Sequence, residues 1–159
     1  MNFRRLDRGE LLAVLGGILL GVSLFLAWYS LGNQYTILNS CRGPHRGVHA
    51  ATSCTGWHAL QFLRFLLLLS AVAPAILAYI IIRGHALSWP RGELTAVTAL
   101  TALTFTVFRG LIDRPGQPPG QISISYGWWV ALAGGLLILV GSIWRSRESS
   151  SARKPPGVL

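Results

Sequence analysis

Acidic residues are scarce in this chain: five Asp and Glu stand against fourteen Lys and Arg in 159 residues, and charges of either sign make up only 12%. Soluble domains carry roughly a quarter charged residues, so about half the usual surface charge is missing. No carboxylate pair falls inside an apolar run, no G-x-S-x-G turn is present, and no glycine-rich phosphate loop appears. Acid–base, serine-hydrolase and nucleotide chemistry therefore have no visible carrier. No catalytic, cofactor-binding or metal residue is assigned, and the chain reads as a non-enzyme. Cysteine is nearly absent as well. Cys41 and Cys54 are the only two, and without a C-x-x-C pair quinone-coupled thiol–disulfide catalysis lacks its attacking and resolving thiols.

What is abundant is apolar sequence, at 52% of residues. Four long runs predict helices over about 10–31, 58–82, 93–112 and 125–144, each long enough to cross about 30 Å of hydrocarbon. In lipid each run must satisfy its own backbone groups, which makes all four helical. The expected fold is an all-α membrane protein, an antiparallel four-transmembrane-helix bundle. Residues 1–144 form its single domain, with an outer loop over 32–57, and the Ser-, Arg- and Pro-rich segment 145–159 is expected to be a disordered cytoplasmic tail.

The pI near 11.1 would suggest nucleic acid in a soluble protein. Here the basic residues flank the apolar runs and read as orientation signals instead, so no nucleic-acid partner is expected. Arg4, Arg5, Arg8, Arg83, Arg91 and the tail outnumber Arg42, Arg46, Arg109 and Arg114, which puts both termini in the cytoplasm. Trp28, Trp57, Trp128 and Trp129 are expected in the outer aromatic belt, and Trp89 and Trp144 in the inner one. The first run has a basic leader and a small-x-small site at Ser30–Gly32, but its apolar stretch exceeds a usual signal-peptide core, so it is read as a retained helix.

A heptapeptide recurs. "RGELLAV" opens the first run at Arg8 and "RGELTAV" the third at Arg91, while "GWHAL" heads the second run at Gly56 and "GWWVAL" the fourth at Gly127. Each half thus reads RGEL, helix, outer loop, Gly-Trp, helix, which makes the bundle two parallel-repeated helical hairpins. Gly9 and Gly92 are expected as N-caps, with Glu10 and Glu93 complementing the positive helix ends. The sharper alternative makes the two glutamates a carboxylate pair for ion or proton traffic.

Small residues four apart, Ala13, Gly17 and Gly21 on the first helix and Gly127, Ala131 and Gly135 on the fourth, predict close helix packing. Thr95, Thr98, Thr101, Thr104 and Thr106 smear around half of the third helix, as packing residues or as a pore lining. Pro74 should kink the second helix. Three intramembrane or boundary charges stand out: Arg64, Arg109 and Asp113. An Arg64–Asp113 bridge is one expectation; an Arg109–Asp113 pair and a snorkelling Arg64 are the others. Cys41 and Cys54 fall in the outer loop, where thiols oxidise, and are expected as a disulfide. Cys41, His45, His49 and Cys54 also have the composition of a zinc set, although their spacing matches no standard motif.

At "LFLAWYS", "GWHALQFLRFLLLLSA", "VFRGLIDRPG" and "YGWWVALAGGLLILVGS" the chain resembles a set of uncharacterised four-span (tetraspan) membrane proteins of actinobacteria. Those carry Trp-Tyr closing the first helix, Gly/Ser-Trp before the second, an arginine followed by Asp-x-Pro after the third, and a glycine opening the fourth. The resemblance implies a bacterial plasma membrane location and supplies no activity. The plan is also similar to claudin-like tetraspans in architecture alone, because here Gly56-Trp57 follows Cys54 rather than preceding both cysteines. The expected function is a structural or accessory membrane subunit, packed with copies of itself or with another membrane protein, its outer loop serving as recognition surface. The alternative is an oligomeric channel or transporter lined partly by the third helix.

Overall fold

A computed structural model gives the fold and describes residues 8–32, 35–44, 51–83 and 92–151, with side chains as far as Arg147. The chain is mostly helical, but it is not all-α. Its order is α1 (Arg8–Ser23), β1 (Ala27–Leu31), β2 (Ile37–Leu38), β3 (Cys41–Arg42), β4 (Ser53–Thr55), α2 (Gly56–Ala59), α3 (Leu63–Ile82), α4 (Glu93–Val107), a π-helical turn (Phe108–Ile112), β5 (Ile122–Ile124) and α5 (Tyr126–Ser151). Three helices are long and apolar enough to cross a membrane: Leu63–Ile82, Glu93–Ile112 and Tyr126–Arg147. That is compatible with a membrane protein.

The first predicted helix is the main correction. It stops at Ser23 after 16 residues, and three i-to-i−3 bonds wind the chain on only to Leu26. Ala27–Leu31 is then a strand. An apolar run fixes how much chain is buried, not its backbone period. What makes this segment extended is partners remote in sequence. β1 is the centre of a three-stranded antiparallel sheet, with β4 on one edge and β5 on the other.

The later boundaries shift for local reasons. The second run splits because Leu60 leaves the helical region (φ −110°, ψ 85°), separating the four-residue α2 from α3. The α-helix α3 continues through Pro74. The fourth helix runs to Ser151, past the expected end at Trp144, so 145–151 are helical and not a disordered tail; residues 152–159 lie outside the described part.

Helix packing follows the small residues. α1 lies antiparallel on α5, with Gly9 against Gly141 and Gly16 against Gly134 and Ile138. α4 also runs antiparallel to α5, with Gly92 against Ser142 and Ser146, and Gly135 against Leu103. α3 touches α1 at Ala71, opposite Gly17 and Gly21, and meets α4 where Ser70 Oγ donates to the Thr98 carbonyl. Meanwhile Leu11, Leu15 and Ile18 of α1, Leu69 and Ile76 of α3, Val97 and Leu100 of α4 and Val140 of α5 are turned outward and exposed. Ser23, Ser70, Thr95, Thr106 and Ser142 are buried. Apolar outside and hydroxyl-bearing inside is the pattern expected where the surrounding solvent is hydrocarbon.

Candidate functional site: the sheet end

Trp28 organises the end of the molecule that carries the sheet. It is fully buried, and its indole N–H donates to the Ser23 carbonyl at 2.7 Å, a second bond on the carbonyl that also accepts from the Leu26 N–H. Both glycines of the repeated Gly-Trp pairs abut this residue. A Cβ on Gly56 would stand 2.7 Å from Trp28 Nε1, and one on Gly127 would stand 2.7 Å from the Ala27 carbonyl oxygen and 2.8 Å from Trp28 Cδ1. The shared motif therefore seats α2 and α5 on β1. Trp128 plays the matching part at α4: it is buried, donates to the Thr106 carbonyl at 2.8 Å, and covers Gly110. Trp28 and Trp128 are thus core residues and not members of an exposed aromatic belt. Trp129 and Trp144 are exposed, Trp57 is partly so, and Trp89 lies outside the described residues.

The sheet has two distinct faces. Tyr29 pairs with Cys54 on one side and Ile124 on the other, facing inward. Ser30 pairs with Ser53 and Ser123, which gives a row of three serines across the opposite, accessible face. The Tyr29 hydroxyl donates to the Arg109 carbonyl at 2.8 Å, tying the sheet to the π-helical turn. Burial pushes this phenol up to about 12, against the opposing pull of Arg109 and Arg114.

The β2–β3 hairpin folds over one flank. Asn39 adopts a left-handed φ of 50° in its two-residue turn, a conformation asparagine tolerates, and its amide donates to the Ala59 carbonyl. The Cys41–Cys54 disulfide fastens the hairpin to β4, and with both sulfurs engaged the Cys2His2 zinc reading loses its thiolates; His45 and His49 lie outside the described residues. Main-chain bonds between Ile37 and Gln117 hold the hairpin's other side.

Beside this flap two hollows open along α2 and the start of α3, with volumes of about 330 and 360 Å³, the first also reaching the end of α4. They share Asn39, Gln61 and Phe62. One is completed by Phe105, Phe108 and Arg109, the other by Ser40, His58, Arg64 and Phe65. The expected Arg64–Asp113 bridge is not formed. Asp113 pairs with Arg109 one turn away, and Arg64 lies 4.8 Å from the ring centroids of both Trp57 and Phe65. Its Nη1 donates to the Trp57 carbonyl at 3.2 Å, while its Nε is buried with no acceptor among the described residues.

The other singled-out residues divide differently from their spacing. Ala13 sits against Gly141 of α5, whereas Gly17 and Gly21 turn to α3. A stripe of four-residue steps drifts about 40° per step and here reaches two neighbours. Likewise Gly127 meets β1, Ala131 is buried in the core, and Gly135 meets α4. The four seam glycines Gly9, Gly16, Gly134 and Gly141 are spaced by seven, a period that four-residue steps pass over. All five threonine hydroxyls of α4 bond back to carbonyls of the preceding turn. Glu10 and Glu93 are not a pair: Glu10 is buried in a 3.7 Å ion pair with Arg145 of α5, and Glu93 is exposed. Gly9 lies in the seam, and Gly92 opens α4 without a side-chain cap bond; Arg91 lies outside the described residues.

No protein-family model, no curated protein and no solved structure matches this chain.

Proposed function

We propose that the chain is a multi-pass protein of the bacterial plasma membrane, as its resemblance to bacterial tetraspans suggests. It crosses the bilayer four times as an antiparallel bundle of two repeated hairpins with both termini cytoplasmic. Residues 8–26 reach about 28 Å when wound at 1.5 Å per residue, which supports α1 with its terminal turn as the fourth span. The protein acts without catalysis of its own, as an accessory subunit that presents the sheet end on the outer side to another membrane protein.

The observation that carries this reading is the serine row Ser53–Ser30–Ser123. It is borne on a sheet that Trp28, Trp128, Tyr29 and the disulfide lock to the helix ends, which makes a rigid hydroxyl-bearing platform instead of a loose loop. The channel alternative has weaker support, because the α4 threonines spend their hydroxyls on their own helix.

Native mass spectrometry of detergent-extracted complexes tests the reading. The expected result is a heteromeric assembly of fixed stoichiometry that falls apart in a Ser30→Trp, Ser123→Trp variant whose own fold is retained. A symmetric ring of this chain alone, with ion flux in liposomes, contradicts it.

A further inference from the structure

The geometry points to a binding site for the anionic phosphoryl headgroup of a membrane lipid in the paired hollows beside Asn39, Gln61 and Phe62. The inference rests on the membrane topology proposed above, which sets these hollows at the outer edge of the hydrocarbon.

Three observations converge. First, the titratable groups in the two linings are Arg64, Arg109 and His58; Arg109 is shared with Asp113 on the turn outside the linings, and among the described residues no carboxylate lines either hollow. Second, Arg64 is a cation with one N–H donor left unpaired. Two aromatic rings hold its guanidinium, one of its nitrogens donates to a carbonyl, and its Nε is buried without an acceptor among the described residues. A buried donor left unpaired costs about 1–3 kcal/mol, more when charged, and a phosphate oxygen is its natural acceptor. Third, the site joins two environments. Ser40, His58 and the Asn39 and Gln61 amides supply polar contacts on the flap side, while Phe105 and Phe108 lie on the flank of α4 and its turn, exposed. Phe62, at the junction of the hollows, is 86% exposed. A large ring left in the open at a helix start is poorly placed in water and well placed against an acyl chain.

Free phosphate shares the headgroup chemistry, but it would gain nothing from the phenylalanines. The two hollows fall at the small end of the range for ligand sites, about 300–1,000 Å³, which suits a headgroup with its tails left outside.

The test uses the full-length protein in detergent micelles. Retention of phosphatidylglycerol and phosphatidylcholine is read by native mass spectrometry, with sodium phosphate as competitor. The expected result is a preference of about tenfold or more for phosphatidylglycerol. That preference should fall to parity in Arg64→Gln, Arg109→Gln and stay unchanged in Arg83→Gln, a cation at the far end of α3. Phe62→Ala should weaken retention of both lipids. Arg109→Gln alone, on an exposed turn, keeps the readout available should Arg64→Gln not fold. Equal retention of the two lipids overturns the site. So does selectivity that survives loss of both arginines, an equal loss in Arg83→Gln, or displacement of the lipid by equimolar phosphate. Alkaline carbonate extraction reads membrane integration separately: a chain that resists extraction yet shows no preference refutes the site alone, and an extracted chain refutes the membrane reading as well.

Discussion

Where α1 meets α5, glycine backbones lie against one another from Gly9–Gly141 to Gly16–Gly134, and a buried ion pair closes the far end. Where α3 meets α4, one serine hydroxyl reaches across to a carbonyl, and at the sheet end a hollow opens between them, with a second beside it along the start of α3. Swapping the two halves of the repeated sequence would exchange these joints. Both halves keep the strand leading into Gly-Trp, and both of those glycines rest on Trp28. The difference lies in the helices: the repeat places Ala99 of α4 where α1 has Gly16, and Leu63 of α3 where α5 has Gly134. One joint became a closed seam and the other an open cleft.

The largest effect should come from forcing the seam. Gly16→Leu would place a Cβ 2.6 Å from the Gly134 oxygen and 2.7 Å from the Ile138 nitrogen, both backbone atoms that cannot move aside. A loss of about 3 kcal/mol or more is expected, read as failure to recover a monodisperse protein. Thr101→Val on α4 removes only a bond to its own helix and should stay within about 0.5 kcal/mol. Comparable losses in the two variants would mean that the glycine seam carries no more than a hydroxyl bonded within its own helix.

Next in size is the divergence of the RGEL pair. Glu10→Gln removes the carboxylate of the buried pair with Arg145, at a cost of about 3 kcal/mol, while exposed Glu93→Gln should change stability by less than about 0.5 kcal/mol. Thermal unfolding of both variants in one detergent decides it, and equal shifts would mean that the repeats still do the same work.

The smallest effect belongs to Tyr29. Its pKa is raised in the fold, so the stabilisation from the neutral phenol is complete below pH 10 and is lost as pH rises through about 12. Phenolate absorbance should show Tyr29 ionising in that range together with unfolding, and Tyr29→Phe should abolish that signal.

Helices α3, α4 and α5 were legible as apolar runs of 20 residues or more that hold few charges, and the disulfide followed from two cysteines in one loop. The strand β1 was not legible. Leu24–Leu31 continues the apolar run of α1 without a break, and the edges that make it a strand come from residues 53–55 and 122–124. The same remoteness hid the role of Gly-Trp, whose glycine answers to Trp28 rather than to its own helix. Charge pairing was legible only at short range: Arg109 and Asp113 share a helical turn, whereas nothing near Glu10 announces Arg145. Arg64 and its cleft could be noticed as an odd cation, but not as a lining residue, because the flap over it is placed by Asn39 and the disulfide.

Footprinting with a lipid-soluble carbene reagent, in bilayers and with peptide-level mass spectrometry, measures the contrast between the two joints directly. Phe62, Phe105 and Phe108 should label heavily, and Leu20 and Ile138 in the seam should stay unlabelled. Equal labelling of the two sets, or a protected cleft beside a reactive seam, would contradict the claim that one joint is sealed and the other open to lipid.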